Sequence, residues 1–285
     1  MVRLGSRQTS SRVVGQGLPH YTALAMVRIE AVIEIALRAA ETVLRHYRSR
    51  DTWVKQKADG SPLTAADLAA EEIIRAGLEA LDGTIPYLSE EVDLPAYVER
   101  RDWGRYWLVD PLDGTKEFIN QTDEFTVNIA LIEEGEPVLG VVAAPALGLL
   151  YYARNGEGAW KQVADGEPER LRSTLADPLK PLRIVESRSH PSPALEEFLR
   201  PFVIAERVKS GSSLKFCVVA DGRADAYPRL GPTMEWDVAA GDCVYRNSGD
   251  PKPHSGTLRY NKPSLENPSF VIGLPSGSYR LPDQT

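Results

Sequence analysis

The stretch 106–120, YWLVDPLDGTKEFIN, constrains the fold of this chain more than any other. Its first four residues, 106–109, are apolar and favour β-structure, so they predict a buried strand. Pro111 lacks a backbone donor and is expected to end that strand, while Gly114 permits a tight or left-handed turn. Thr115 is a good N-cap for the short helix that follows. The sequence therefore predicts a strand, an acidic turn and a helix N-terminus in immediate succession.

Two carboxylates, Asp110 and Asp113, fall within that turn, three residues apart. A helix N-terminus attracts phosphate, and carboxylate oxygens suit Mg²⁺, which proteins usually hold together with a substrate phosphate. The turn is therefore a candidate site at which a metal ion and a phosphate meet. Asp-Pro and Asp-Gly pairs are also ordinary turn formers, so these residues alone leave a plain turn as an open alternative.

Further acidic residues stand at the ends of other predicted elements. Glu90 and Glu91 follow a short apolar strand, which repeats the arrangement of the acidic turn, although a solvated acidic turn is a common alternative. Asp67 lies in the first helical turn after Thr64, where it can complete a capping box. Asp237 opens another helix, for which it is an ideal N-cap. Each acid thus has both a structural and a metal-binding interpretation.

The order of the predicted elements indicates two regions. A helix over 25–48 has apolar residues at helical spacing, and short turns between apolar strands over 125–163 indicate an antiparallel meander. The charged, proline-bearing stretch 164–181 is expected to separate domains over 26–165 and 182–278. The first reads as α+β, and the alternation of strands and helices in the second indicates an α/β arrangement.

Within the second region, Ser192 is expected to cap a helix that has Pro193 at its first position. Further helices are predicted over 214–221 and 238–246. The last two predicted strands, 258–261 and 269–273, are expected to pair with each other.

Composition excludes several classes of protein. The net charge of −7 and the pI near 5.3 do not indicate the basic surface that nucleic-acid-binding proteins have. Cys217 and Cys243 are too few for a disulfide framework, so a reducing compartment fits. No apolar run approaches the roughly 18 residues of a membrane helix.

The first 25 residues differ from the rest, because they carry Arg3, Arg7 and Arg12 and no acidic residue. This composition is typical of a transit peptide. An upstream start codon or a disordered tail, with Met26 opening the domain, is the favoured interpretation, since the segment lacks an apolar face.

The motif DPLDGTKEF resembles the signature of the inositol-monophosphatase superfamily of Mg²⁺-dependent, lithium-inhibited phosphatases. Its Lys116-Glu117-Phe118 is similar to the 3'(2'),5'-bisphosphate nucleotidase branch of bacterial type. Four more motifs extend the resemblance, in family order, across about 27–275: residues 57–67, 89–91, 211–217 and 231–241. The stretch 246–249 and the arginine-bearing tail depart from the family pattern, and neither touches these motifs.

The resemblance implies a layered αβαβα sandwich of the sugar-phosphatase type, with the metal site between its two halves. The 26–165 domain would bind metal and the 182–278 domain would bind substrate. It implies two or three Mg²⁺ ions, held by Glu90, Asp110, the Leu112 carbonyl, Asp113, Asp237 and Asp67. Thr115, bonded to Asp67, would orient the attacking water or accept its proton, and Asp67 and Glu90 would be the other catalytic residues.

The implied reaction is removal of the 3'-phosphate of adenosine 3',5'-bisphosphate, giving AMP, in sulfur assimilation. The substrate-binding residues would be Asp113, Gly114, Thr115, Ser212, Ser213, Lys215, Arg229 and Asp237. Lys215 could instead be a solvated helix residue, and Arg229 could pair with a surface acid.

The implied location is the cytoplasm, with peripheral association with the inner membrane as an open alternative, and a homodimer is compatible with the family. Inositol monophosphate or fructose 1,6-bisphosphate hydrolysis, or an inactive regulatory relative, are the remaining alternatives.

Overall fold

The computed structural model describes residues 27–49, 53–57, 62–189, 193–249 and 258–281. The predicted tail over 1–25 and the predicted cap Ser192 lie outside these ranges. The α-helices of the described part are α1 (Ile29–Ser49), α2 (Ala65–Asp82), α3 (Tyr97–Arg100), α4 (Thr115–Ile119), α5 (Pro193–Leu199), α6 (Leu214–Ala220) and α7 (Glu235–Arg246), and Pro145–Leu147 forms a 3₁₀ turn.

The strands occur as a hairpin, a large sheet and two smaller pairs. They are β1 (Val54–Gln56), β2 (Pro62–Thr64), β3 (Tyr87–Ser89), β4 (Arg105–Asp113), β5 (Thr126–Glu133), β6 (Glu136–Ala144), β7 (Leu149–Arg154), β8 (Gly158–Val163), β9 (Glu169–Arg170), β10 (Leu182–Ser187), β11 (Ile204–Ser210), β12 (Tyr227–Arg229) and β13 (Phe270–Ile272). We call residues 27–170 the N-terminal half and residues 182–281 the C-terminal half.

A seven-stranded sheet in the order β3-β4-β5-β6-β7-β8-β9 forms the centre of the fold. β3 runs parallel to β4, and every later neighbour is antiparallel. Consecutive strands from β5 onward are neighbours because short connections join them, as at Glu134 and Gly135, which both have positive φ. The predicted meander is confirmed.

Helices cover both faces of this sheet. α1 and α2 bury apolar residues such as Val32 and Ile74 against one face, in a cluster with Val109 and Val141. α6 and α7 pack on the other face. A Cβ atom at Gly140 on β6 would lie 2.5 Å from the Ala240 carbonyl oxygen, so α7 meets the sheet at backbone contact.

A second, smaller sheet lies beyond α6 and α7. β10 pairs with β11 in parallel and β12 pairs with β13 in antiparallel, and a bridge between Ile184 and Ala226 joins the two pairs. α5 covers the outer face through Leu195 and Phe198. The layers therefore alternate as α, β, α, β, α, as predicted, and the boundaries of separate domains stay a prediction.

Three local expectations are wrong. Pro111 does not end its strand, because β4 continues to Asp113 and its pairing with β5 shifts register there, so the missing N–H is not needed. α4 begins at Thr115, and the capping position falls on Gly114 in the left-handed region. Residues 258–261 form no strand, and β13 pairs with β12 instead. Among the described residues, no helix has the length and apolar character of a membrane span.

Candidate active site

Three carboxylates from distant parts of the chain converge at one edge of the large sheet. Glu90 follows β3, Asp110 lies in the neighbouring β4, and Asp237 lies in the first turn of α7. One oxygen of each lies within 4.8 Å of the others. We call these three residues the acidic cluster. It lies between the two halves of the chain, because Asp237 belongs to the C-terminal half.

Burial and mutual repulsion raise the pKa values of the carboxylates in the acidic cluster. Burial and repulsion from the neighbouring acids raise the pKa of Asp110 and Asp237 well above the ordinary value, and burial also raises that of Glu90. Asp110 Oδ1 accepts from the Leu112 N–H at 3.1 Å, but the buried Oδ2 has no hydrogen-bond donor in the described part of the chain. A cation between the three carboxylates would satisfy this oxygen and relieve the repulsion, so the residues fit a metal ion.

Asp113 stands apart from the other predicted ligands. Its Oδ2 accepts a hydrogen bond from Ser212 Oγ at 2.7 Å. Burial raises its pKa, and the charge of Lys215 opposes that shift. Asp113 thus faces a cleft beside the acidic cluster, although its charge still acts on Glu90 and Asp237.

Asp67 and Thr115 each form hydrogen bonds with other residues and not with each other. Asp67 Oδ2 accepts from the Thr64 N–H at 2.8 Å and from its hydroxyl at 2.5 Å, which is the predicted capping box. Burial raises the pKa of Asp67 to about 6, against those two hydrogen bonds. Thr115 Oγ1 donates to the Leu112 carbonyl oxygen at 3.3 Å. The predicted hydrogen bond between them is therefore replaced by these contacts.

The prediction that Asp237 is the N-cap of its helix is wrong, because the N-cap of α7 is Met234 and Asp237 is the third residue of the helix. Its Oδ2 accepts from the Met234 N–H at 2.8 Å, so it caps the start of α7 from within the first turn. The same carboxylate belongs to the acidic cluster. Capping therefore fixes the side chain where a metal ion would need it.

Lys57 is a site residue that was not predicted, although it is the first residue of the motif 57–67. Its Nζ lies 2.6 Å from Glu90 Oε1 and 2.6 Å from Glu91 Oε1. Burial alone would lower the pKa of Lys57, but the two carboxylates outweigh it and raise the pKa. A lysine in a polar turn has too many partners within reach for sequence alone to select these two.

A cleft of about 200 Å³ opens beside the acidic cluster. All eight predicted substrate-binding residues line it: Asp113, Gly114, Thr115, Ser212, Ser213, Lys215, Arg229 and Asp237. Lys116, Glu117 and Ser187 line it as well. We call Asp113 and Asp237 the acidic side of the cleft, and Lys215 and Arg229 of the C-terminal half its cationic side.

Lys215 and Arg229 make no ion pair with a carboxylate of the described residues. Lys215 is buried, its Nζ donates to the Ser212 carbonyl oxygen, and burial lowers its pKa to about 8 against the charge of Asp113. Arg229 Nη2 donates to the Pro232 carbonyl oxygen at 2.6 Å, while its buried Nε lacks an acceptor in the described residues. The described residues contain no ion pair of Arg229 with a surface acid.

The two serine hydroxyls connect the halves. Thr126 Oγ1 lies 2.5 Å from Ser212 Oγ and 2.9 Å from Ser213 Oγ. Ser213 Oγ also donates to Asn128 Oδ1 at 2.7 Å. Their hydroxyls are thus already bonded to the N-terminal half and hold the cleft wall in place.

Comparison with known proteins agrees with the family that the sequence motifs and the geometry of the site indicate. Residues 26–269 match the model of the inositol monophosphatase family. The chain is 49% identical over 250 residues to the 3'(2'),5'-bisphosphate nucleotidase CysQ of Salmonella typhimurium, covering 86% of this chain and 99% of that protein. It is 44% identical over 253 residues to the protein of the same name from Escherichia coli strain K12, with the same coverage.

Solved structures agree with the sequence relatives. The crystal structure of CysQ from Bacteroides thetaiotaomicron superimposes with a TM-score of 0.73 at 40% identity, covering 86% of this chain and 96% of that one. The extragenic suppressor protein suhB of Bartonella henselae shares the fold, with a TM-score of 0.69 at 24% identity over 86% of this chain and 93% of that one. The predicted resemblance is confirmed: this chain belongs to the inositol monophosphatase family.

Proposed function

We propose that this protein is a magnesium-dependent phosphomonoester hydrolase that acts on adenosine 3',5'-bisphosphate. Water attacks the 3'-phosphorus, the bond to the 3'-oxygen breaks, and AMP and inorganic phosphate are released. The observation that carries the proposal is the cleft itself, which is lined both by Asp237 of the acidic cluster and by Lys215 and Arg229. A substrate with one reacting and one distal phosphate matches both sides, and the names of the CysQ relatives support that substrate.

The acidic cluster is the proposed magnesium site, with Asp113, Asp67 and the Leu112 carbonyl as further oxygen donors to two or three ions. A donor set of oxygens without histidine or cysteine suits a hard cation. Magnesium supplies positive charge that activates water and stabilises the charge of the transition state. The buried, unpaired Asp110 Oδ2 is the atom that most requires such a charge.

Residues at the start of α4 are assigned to the reacting phosphate and the attacking water. Gly114 and Thr115 line the cleft next to Asp113, and their backbone N–H groups are the donors for phosphate oxygens. Thr115 Oγ1 donates to Leu112 O, which leaves its lone pairs to accept a hydrogen bond from water. Asp67 is assigned as the proton acceptor, aided by Glu90.

The cationic side of the cleft favours this substrate over the alternatives. An inositol monophosphate has no second phosphate for Lys215 and Arg229, whereas fructose 1,6-bisphosphate has one at a different distance. An inactive regulatory relative would not need the complete set of acids that this chain retains. A panel of these three phosphates, assayed for phosphate release, tests the proposal. The account expects the highest kcat/KM for the nucleotide, and a higher value for either sugar phosphate would reassign the substrate.

Three further properties belong to the proposal through the family resemblance. Millimolar Li⁺ should inhibit by competing for a magnesium position. The protein would act in the cytoplasm, in sulfur assimilation, with peripheral membrane association and homodimers as compatible features. A lithium titration that leaves turnover unchanged would place the chain outside the lithium-sensitive members.

A further inference from the structure

Beside the cleft, two acidic side chains of the N-terminal half accept hydrogen bonds from the C-terminal half. Glu124 accepts from Arg188 Nε at 2.5 Å and Nη2 at 2.8 Å, and from the Gly211 N–H at 2.9 Å. Glu117 Oε1 accepts from the hydroxyl of Ser189 at 2.5 Å. We call these contacts the clamp.

The clamp joins elements of the two halves that both contribute residues to the cleft, such as Glu117 and Ser187. Glu117 lies on α4, whose first residue, Thr115, faces the reacting phosphate in the proposed function. Arg188 and Ser189 follow β10, and Gly211 follows β11. Because β10 and β11 are parallel, their carboxyl ends meet at one edge of the smaller sheet, which is where ligands bind in such sheets.

These elements pack against each other in close backbone contact. A Cβ atom at Gly211 would lie 2.8 Å from the Glu124 carbonyl oxygen and 2.9 Å from Glu117 Cγ. A Cβ atom at Gly114 would lie 3.1 Å from the same carbonyl oxygen and 3.3 Å from Ser212 Cβ. The glycines thus allow backbone contact between the halves, and the charged side chains hold that contact together.

The clamp is also anchored away from the cleft. Asp123, next to Glu124, accepts from the Tyr47 hydroxyl on α1 at 2.7 Å, and its N–H donates to that hydroxyl at 3.1 Å. Arg188 Nη2 donates to the Lys209 carbonyl oxygen at 3.2 Å. A displacement of Arg188 relative to Glu124 would therefore shift the edge of the smaller sheet, not a free loop.

We propose that the clamp fixes the separation between the acidic cluster and the cations Lys215 and Arg229, so that Glu124 and Arg188 determine the preference for a substrate with two phosphates. The inference rests on the proposed function. A bisphosphate must contact both sides of the cleft at once, whereas a monophosphate needs only the acidic side. Small errors in position weaken a doubly held substrate strongly, so Glu124 and Arg188 act as positioning residues.

The test compares two substrates that differ only in the distal phosphate, adenosine 3',5'-bisphosphate and 3'-AMP, in the Mg²⁺-loaded protein. Arg188→Gln and Glu124→Gln should each raise KM for the bisphosphate about tenfold while kcat and KM for 3'-AMP change little. The double variant should resemble the single variants, because both remove the same contact.

Arg183→Gln is the matched control. Arg183 makes the same kind of two-bond contact with Asp225, and the two side chains have nearly the same exposure, but both residues lie within the C-terminal half. This variant should leave both KM values unchanged.

Each result has a distinct meaning. Equal losses on both substrates, or an unchanged KM for the bisphosphate, would overturn the role of the clamp while the proposed function stands. A wild-type protein that releases no phosphate from the bisphosphate would overturn the proposed function, and the inference with it. Melting temperatures measured in parallel confirm that each variant is folded.

Discussion

Ser212 donates a hydrogen bond from its hydroxyl to Asp113 Oδ2 at 2.7 Å and thereby joins the C-terminal half to the acidic turn. The backbone of Ser212 has a φ of 53°, a left-handed conformation that is uncommon for serine. Thr126 Oγ1, 2.5 Å from the Ser212 hydroxyl, holds it from the other side. Asp113 is therefore directed into the cleft, while Glu90, Asp110 and Asp237 form the acidic cluster behind it.

Replacing Ser212 by alanine should destabilise the metal-free protein. The variant removes a donor from a carboxylate with restricted access to water, which lowers the free energy of unfolding by about 1–2 kcal/mol. Urea denaturation without metal measures this. Thr84→Ala removes a hydroxyl-to-carboxylate bond of 2.6 Å at an exposed position, and should change the free energy by less than about 0.5 kcal/mol. Equal effects of the two variants would contradict the bridging role of Ser212.

The acidic cluster predicts how the stability of the metal-free protein depends on pH. The pKa values of Glu90, Asp110 and Asp237 are raised, and that of Asp67 is raised to about 6. Between the ordinary values and these raised values, the folded state binds more protons than the unfolded state. The free energy of unfolding therefore falls as pH rises through this window.

Asp110→Asn isolates the contribution of the acidic cluster. Calorimetric melting temperatures from about pH 5 to pH 7.5 should fall less steeply for this variant than for the wild type, because one repelling carboxylate is gone. Saturating Mg²⁺ should flatten the wild-type curve, since it supplies the missing charge. The variant should also lose about 10³-fold in turnover. Parallel melting curves for the two proteins would contradict the cluster.

Local pattern was sufficient to identify the acids, because each stands at the end of a predicted strand or helix. Asp110 and Glu90 are neighbours since β3 and β4 are parallel and adjacent, whereas Asp237 lies at the third position of α7 and not at the predicted N-cap. The continuation of β4 through Pro111 could not be predicted, because it depends on a register shift against β5, a pairing between distant parts of the chain.

Long-range pairing of charges was also beyond prediction. Lys57 with Glu90, and Arg188 with Glu124, are 33 and 64 residues apart. Each lies in a turn with many alternative partners of opposite charge. Tertiary packing selects both pairs, within the N-terminal half for Lys57 and between the halves for Arg188, and the spacing of residues in the sequence does not show it.

Arg229→Ala tests the cationic side of the cleft. Loss of a charge-assisted contact with the distal phosphate should raise KM for adenosine 3',5'-bisphosphate by about 10–100-fold. Hydrolysis of 3'-AMP should barely change, because it has no distal phosphate. Arg223→Ala, which removes an exposed arginine paired with Asp221, is the control and should affect neither substrate. Equal losses on both substrates, or none on either, would remove Arg229 from the specificity site.

Gly140→Ala tests the contact that positions α7 and its Asp237. The new methyl group would meet the Ala240 carbonyl oxygen at 2.5 Å and Cys243 Cβ at 2.7 Å. Overpacking of this kind should lower the free energy of unfolding by about 1–3 kcal/mol. Gly231→Ala is the control, since a Cβ atom there meets nothing within 4 Å. A melting temperature of Gly140→Ala equal to that of the control would show that α7 can move away from the sheet.

Phosphate release from adenosine 3',5'-bisphosphate, measured for the wild-type protein with saturating Mg²⁺ and again in excess chelator, tests the central claim most directly. The account predicts turnover with Mg²⁺, loss of turnover in chelator, and recovery when Mg²⁺ but not Zn²⁺ is restored, because the site presents only oxygen donors. Undiminished phosphate release in chelator would contradict the account.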